Sequence, residues 1–231
     1  RGIAVTNTPG VLTESSADLA FALLLAAARR IPEADCFTRA GGWDGWGPLQ
    51  FLGRDLHGST LGLIGMGRIG QAVARRAAGF GLHLRYWNRT RLQPEQEQSL
   101  CLTYTERDLL LADSDFVSLH VAYHPQTHHL IGARELSLMK PGAILINTSR
   151  GSVVDEPALV AALQEGRLGG AGLDVYEHEP DIHPELLHLD QVVILPHIAS
   201  ATRRTRTRMG MMALENILAA HRGDPLPNPV I

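Results

Sequence analysis

Three glycines, one arginine and three later polar residues carry the chemistry available to this sequence. Gly65, Gly67 and Gly70 form G-x-G-x-x-G within Leu61-Gly62-Leu63-Ile64-Gly65-Met66-Gly67-Arg68-Ile69-Gly70, between an apolar run and an amphipathic stretch. A strand that turns into a helix at such glycines offers free backbone N–H groups and the positive end of the helix dipole, which together hold a pyrophosphate. The first glycine makes the tight turn, the second lets the phosphates approach, and the third lets helix lie against strand. About 20 residues on, where the ribose of a dinucleotide is read, the chain has Tyr86-Trp87-Asn88-Arg89-Thr90-Arg91 and no carboxylate. Asp or Glu there would repel a 2'-phosphate, whereas Arg89 pairs with it through charge-assisted hydrogen bonds, with Asn88, Thr90 or Arg91 adding donors. This predicts NADP as cofactor and NAD as the weaker alternative. The plainer reading makes Arg89 and Arg91 solvated loop charges.

The three polar residues each follow a later apolar run. Arg150 lies in Asn147-Thr148-Ser149-Arg150-Gly151, Glu179 in Glu177-His178-Glu179-Pro180, and His197 in Pro196-His197-Ile198-Ala199-Ser200. Open α/β sheets bind ligands beyond the carboxyl ends of their strands, so these groups gather at one edge if the runs are parallel strands. An arginine fork can hold a carboxylate and polarise the carbonyl beside it. A carboxylate beside a histidine favours its protonated form, which can give that proton to a developing alkoxide. Each residue also has a plain alternative: a surface Arg, a turn Glu before Pro, a helix-capping His.

The elements that must position these groups follow from periodicity. Residues 60–64, 82–87, 116–119, 143–147, 170–175 and 192–195 are short apolar runs, separated by helical stretches such as 69–78 and 156–165. Buried strands alternating with helices predict an α/β fold, a doubly wound parallel sheet of Rossmann type. Before it come a short strand over residues 2–6 and a helix over 17–31. That helix has N-cap oxygens available from Thr13, Ser15 and Ser16, and its end is marked by Pro32. A Gly- and Trp-rich loop spans 41–48, and a last helix spans 205–221. The first of these helices is so apolar that it must be covered on most sides.

A net charge of −3 in 231 residues gives no general basic footprint for nucleic acid or for an anionic membrane. Arg203, Arg204, Arg206 and Arg208 are the local exception and read as a solvated or inter-domain face. The longest apolar run, 19–28, is about half a membrane span, and no signal pattern follows Arg1. Cys36 and Cys101 form no disulfide framework or metal spacing, so a reducing, cytoplasmic location is expected. His124, His128 and His129 cluster, as do His178, His183 and His188, but Pro125, Pro180 and Pro184 break any helical pair of ligands. No metal is expected.

The glycine motif, Thr148-Ser149-Arg150-Gly151, Gly172-Leu173-Asp174-Val175 with Glu179-Pro180, and Pro196-His197-Ile198-Ala199-Ser200 occur in the order and spacing of the D-2-hydroxyacid dehydrogenases, with likeness over residues 7–227. The chain resembles that family. The resemblance implies hydride transfer from NADPH to a small 2-keto acid substrate, with Arg150 binding and polarising it, His197 as general acid and Glu179 supporting the imidazolium. It implies a cofactor site of Gly65, Gly67, Arg68, Ile69, Gly70, Asn88, Arg89, Thr90, Thr148, Asp174, Ala199 and Ser200, with Asp174 near the nicotinamide carboxamide. Residues 41–46, 88–90 and 201–206 look like the glyoxylate and hydroxypyruvate reductase branch, whose products are glycolate and D-glycerate. That branch also includes 2-ketogluconate reductases, and some relatives resemble corepressors that use the dinucleotide to control assembly.

Family members resemble two-domain proteins. By that likeness residues 1–11 are the last strand and hinge of a flavodoxin-like substrate domain otherwise absent from the chain. Residues 12–200 are then the dinucleotide-binding domain with its dimerisation helix and loop, and 201–231 return toward the substrate domain. A homodimer is implied, with Trp43 or Trp46 packing at its interface or Trp46 reaching a neighbour's substrate.

Overall fold

All six apolar runs become strands, and a seventh strand joins them at one edge. The computed structural model describes residues 3–230. Its strands are β1 (Thr60–Ile64), β2 (His83–Trp87), β3 (Leu102–Tyr104), β4 (Phe116–Leu119), β5 (Ile144–Asn147), β6 (Gly170–Leu173) and β7 (Val192–Ile194). They form one sheet in the order β3-β2-β1-β4-β5-β6-β7, and every neighbouring pair is parallel. The order reverses between β1 and β4, which opens a crevice at their carboxyl ends.

Strand residues alternate between two buried layers, as a covered parallel sheet requires. Leu61, Leu63, Phe116, Ile144 and Ile146 face a layer built with α1 (Thr13–Ala28) and α3 (Arg68–Ala78). Ile64, Val117, Leu119 and Leu145 face the opposite layer, shared with α5 (Arg107–Asp113), α6 (Ala133–Leu138) and α7 (Glu156–Gln164). On the second side of the glycine turn, α3 carries Ala72, Val73, Ala74 and Ala77 into the core. A short α4 (Pro94–Ser99) precedes the edge strand β3, and α8 (Arg203–Arg222) ends the regular structure, stopped by Gly223 in the left-handed conformation.

Several expectations are corrected. The first helix ends at Ala28 and not at residue 31, because Arg30 turns left-handed at φ 52° and a second helix, α2 (Ile31–Arg39), starts there. Pro32 opens α2 instead of closing α1, since the first turn of a helix needs no proline N–H. No hydroxyl caps α1: the Ser15 hydroxyl donates back to the Leu12 carbonyl at 3.1 Å. The strand expected over 2–6 is a single antiparallel bridge, Thr6 with Pro229, flanked by Val230 N–H donating to Val5 and Asn7 N–H to Asn228. Gly2 lies outside the described residues. The first and last segments therefore meet.

Most apolar side chains of α1, including Phe21, Leu23 and Leu24, are buried against α3 and β5, β6 and β7 of the same chain. In contrast, α2 buries no residue, and Trp43, Trp46, Leu49 and Leu52 beyond it are exposed. A second apolar surface runs over Met211, Leu214, Ile217 and Leu218 of α8 to Ile3, Val5 and Val230. Among the described residues, no helix is long and apolar enough to cross a membrane.

Candidate active site

The glycine turn is built as its spacing requires. Gly65 has φ 96°, and a Cβ there would stand 2.6 Å from the His120 carbonyl carbon, so only glycine fits. A Cβ on Gly70 would strike the Gly65 carbonyl oxygen. Gly67, the N-cap of α3, instead faces open space, with the helix N-terminus behind it. That opening is where an anion meets the unpaired amides.

Asn88 fastens this turn to the end of β2. Its Oδ1 accepts from Met66 N–H at 3.1 Å, and its Nδ2 donates to the Thr90 carbonyl at 2.8 Å. Arg89 and Thr90 line a crevice of about 400 Å³ with Gly65, Gly67, Trp87 and Asn88. Arg89 takes no ion-pair partner among the described residues, so its guanidinium remains available there. Arg91 does not. Its Nε and Nη2 donate to Glu97 at 2.8 and 2.9 Å, and it lies over the Tyr104 ring. The suggestion that Arg91 adds a donor to the ribose site is thus corrected: a carboxylate already occupies its fork.

Behind that pair, the buried Tyr86 hydroxyl donates to Glu97 Oε1 at 2.5 Å and accepts from Leu92 N–H at 2.9 Å. The Arg91 guanidinium, then the Tyr86 hydroxyl, hold the Glu97 carboxyl down at about 2, while burial and the carboxylate push the Tyr86 phenol up to about 12. Tyr86→Phe strands the Leu92 N–H and removes a charged hydrogen bond. We expect a loss of about 1–3 kcal/mol, read as a lower urea midpoint with an unchanged slope.

His120 and Asn147 were not singled out from sequence. His120 follows β4 at the switch point, where it walls the crevices shared by Gly67, Ile69 and Thr148. Its Nε2 lies 2.9 Å from the Ser118 hydroxyl, and desolvation lowers its pKa to about 4. The ring is therefore neutral at neutral pH. The buried Asn147 clamps the next loop: Oδ1 accepts from Ser149 N–H at 3.0 Å and from the Ser149 hydroxyl at 2.8 Å, while Nδ2 donates to the Arg150 carbonyl at 3.0 Å. Arg150 is thereby presented, exposed, beside Ile69, His120, Tyr123 and Thr148 in a hollow of about 370 Å³. Gly151 is required next to it because a Cβ would strike the Tyr176 backbone.

The structure joins Glu179 and His197 directly. Glu179 Oε2 accepts from His197 Nδ1 at 2.7 Å, and its Oε1 accepts from Tyr176 N–H at 3.1 Å. Because a carboxylate only accepts, Nδ1 carries the hydrogen and Nε2 is left for a ligand. Asp174, at 0 % exposure, gives both oxygens to the same loop, accepting from Ile198 N–H at 2.7 Å and Ala199 N–H at 2.8 Å. Burial pushes its carboxyl up, and the two amides partly offset this. These bonds hold His197 at φ 53°, a left-handed backbone. Asp174 is thus an anchor of the His197 loop, with Ala199 and Ser200 half-buried beside it. Trp46 is not brought to the site: it is 85 % exposed and lines none of the crevices described here.

A dinucleotide fits these residues. Among the described residues, Thr148 Oγ1 is the buried side-chain polar atom left without a partner, and it lies in the hollow beside Arg150. A buried hydroxyl left without a partner costs stability, so a ligand is its natural partner. Sheet order, glycine turn, free Arg89 and the orphan hydroxyl together define a dinucleotide-binding Rossmann domain with a hydrogen-bonded carboxylate and imidazole at its mouth.

Comparison with known proteins agrees. The family described as "D-isomer specific 2-hydroxyacid dehydrogenase, NAD binding domain" matches residues 21–199. A glyoxylate reductase of Thermococcus litoralis is 56% identical over all of this chain and 70% of its own length, and one from Korarchaeum cryptofilum is 55% identical with the same coverages. The solved structure of an NADPH-dependent glyoxylate/hydroxypyruvate reductase from Sinorhizobium meliloti, in complex with NADP and malonate, superimposes with a TM-score of 0.90 at 41% identity. It covers 99% of this chain and 70% of that one. The chain belongs to the D-isomer specific 2-hydroxyacid dehydrogenase family, and its sheet is that family's nicotinamide-dinucleotide-binding unit.

Proposed function

We propose that the native protein reduces glyoxylate and hydroxypyruvate with NADPH, yielding glycolate and D-glycerate. The observation that carries this reading is the Glu179–His197 hydrogen bond at the carboxyl edge of a sheet whose ribose-reading position is a free arginine. The reductase names of the relatives support it.

Gly65, Gly67, Arg68, Ile69 and Gly70 would hold the pyrophosphate, Asn88, Arg89 and Thr90 the 2'-phosphorylated ribose, and Thr148, Asp174, Ala199 and Ser200 the nicotinamide end. When bound, the cofactor supplies hydride to the substrate's carbonyl carbon. Arg150 pairs with the substrate carboxylate and polarises the adjacent carbonyl. His197 Nε2 gives its proton to the oxygen as charge develops there, and Glu179 balances the imidazolium through Nδ1. Asp174 keeps the loop in place.

Residues 3–11 and 201–230 would face the substrate domain that the relatives carry and this chain mostly lacks, whose packing would cover the apolar stripe of α8 and Ile3 and Val5. A homodimer would cover α2, Trp43, Leu49 and Leu52, and it would let Trp46 reach the partner's substrate pocket. The exposed free thiols Cys36 and Cys101 suit a reducing, cytoplasmic setting.

Cofactor choice tests the reading. Fluorescence titration should give tighter binding of NADPH than of NADH. Removing a charged hydrogen-bonding partner costs about 1.5–3 kcal/mol, so Arg89→Asp should weaken NADPH roughly 10–100-fold and reverse the order. Equal affinities in the unaltered protein would refute the preference.

A further inference from the structure

His128, His129 and Glu177 form a cluster that the reaction does not use, and they line none of the crevices above. Adjacent side chains of an extended chain point to opposite sides. Here His129 has φ 48°, and the two rings instead stack, with centroids 3.9 Å apart and planes at 21°. Glu177, from the segment after β6, meets them: its Oε1 lies 2.6 Å from His129 Nε2. Its backbone is held in turn by Glu156, which accepts the Glu177 N–H at 2.6 Å. One ligating atom from each of the three residues lies within 4.8 Å of the other two. On the other ring nitrogen of His129, Asp155 Oδ2 stands 3.9 Å from Nδ1. Drawn closer by about an ångström, that carboxylate would accept the Nδ1 hydrogen and orient an imidazole bound to metal through its far nitrogen.

We propose that His128, His129 and Glu177 bind a divalent transition cation of the zinc class, with Asp155 as the outer partner of His129 and water in the fourth position. Two imidazoles and one carboxylate match zinc and its neighbours, whereas calcium and magnesium take oxygen ligands. A tetrahedral site with bonds of ~2.1 Å has edges of roughly 3.4 Å. The ligand atoms, all within 4.8 Å of one another, must close on the exposed His128 side and open from 2.6 Å between Glu177 Oε1 and His129 Nε2, each by about an ångström. The sequence hides the site because its ligands follow no helical spacing; a left-handed turn and a contact across 48 residues assemble it. Occupancy would tie the loop after β4 to the segment that, two residues on, supplies Glu179.

The test is a calorimetric titration of the chelator-stripped protein with zinc chloride. One equivalent should bind, and cobalt(II) in its place should give the visible absorption of a four-coordinate ion. Loss of an outer-shell partner costs roughly 10–100-fold, and loss of a ligand no less. His128→Ala, His129→Asn and Glu177→Gln should each weaken binding at least about tenfold, and Asp155→Asn by roughly tenfold. Asparagine is chosen at 129 because it tolerates the left-handed backbone, and metal-free melting curves confirm that each variant is folded. Absence of a saturable equivalent, or unaltered affinity in folded His128→Ala and His129→Asn, would overturn the proposal.

Discussion

His197→Ala lowers kcat for glyoxylate reduction by about 10²–10⁴-fold with little change in NADPH affinity, the contribution expected of a positioned proton donor. The geometry leaves the imidazole one free nitrogen. Nδ1 is spent on Glu179, Glu179 is itself fixed by Tyr176 N–H, and the following amides are clasped by Asp174. A left-handed backbone at residue 197 makes alanine a strained replacement. His197→Asn accepts that backbone and still lacks the acid, so the two variants should lose activity alike. Near-normal kcat in either would place the proton source elsewhere.

Arg150→Ala should have the second largest effect, raising KM and lowering kcat together, as the proposed double role of one side chain in binding and polarising the substrate requires. The loss in kcat/KM should be about 10²–10³-fold, the scale of removing one preorganised donor to developing charge. Arg150→Lys should recover little, since a point charge does not replace the fork. Unaltered KM in Arg150→Ala would show that the substrate carboxylate is held by another group. Arg150 owes its presentation to Asn147, whose amide binds both Ser149 and the Arg150 carbonyl.

The strands were legible because most are apolar runs buried on both faces, and each of the six runs lost at most two residues at an end. The edge strand Leu102–Tyr104 was not, being three residues long with Thr103 exposed between partners. Pro32 was misread because proline marks both the end of one helix and the first turn of another, and only the left-handed Arg30 decides which. Spacing singled out the glycine turn, Arg89, Arg150, Glu179 and His197 as candidates, the last two of which the structure pairs. It could not show that Arg91 is already taken by Glu97, since that contact depends on Tyr86 reaching it from β2. Nor could it flag His120 or Asn147. Both sit in ordinary apolar runs, and they matter only because the sheet order places β4 and β5 beside the glycine turn.

These residues are proposed to serve hydride transfer to a 2-keto acid. The most direct measurement supplies the native protein with glyoxylate and NADPH carrying deuterium at the transferring position of the nicotinamide, then examines the product by NMR. The expected product is glycolate with one deuterium on C2, formed more slowly by at least about 10²-fold in His197→Asn. Glyoxylate left unreduced at saturating NADPH, or glycolate without deuterium on C2, would contradict it.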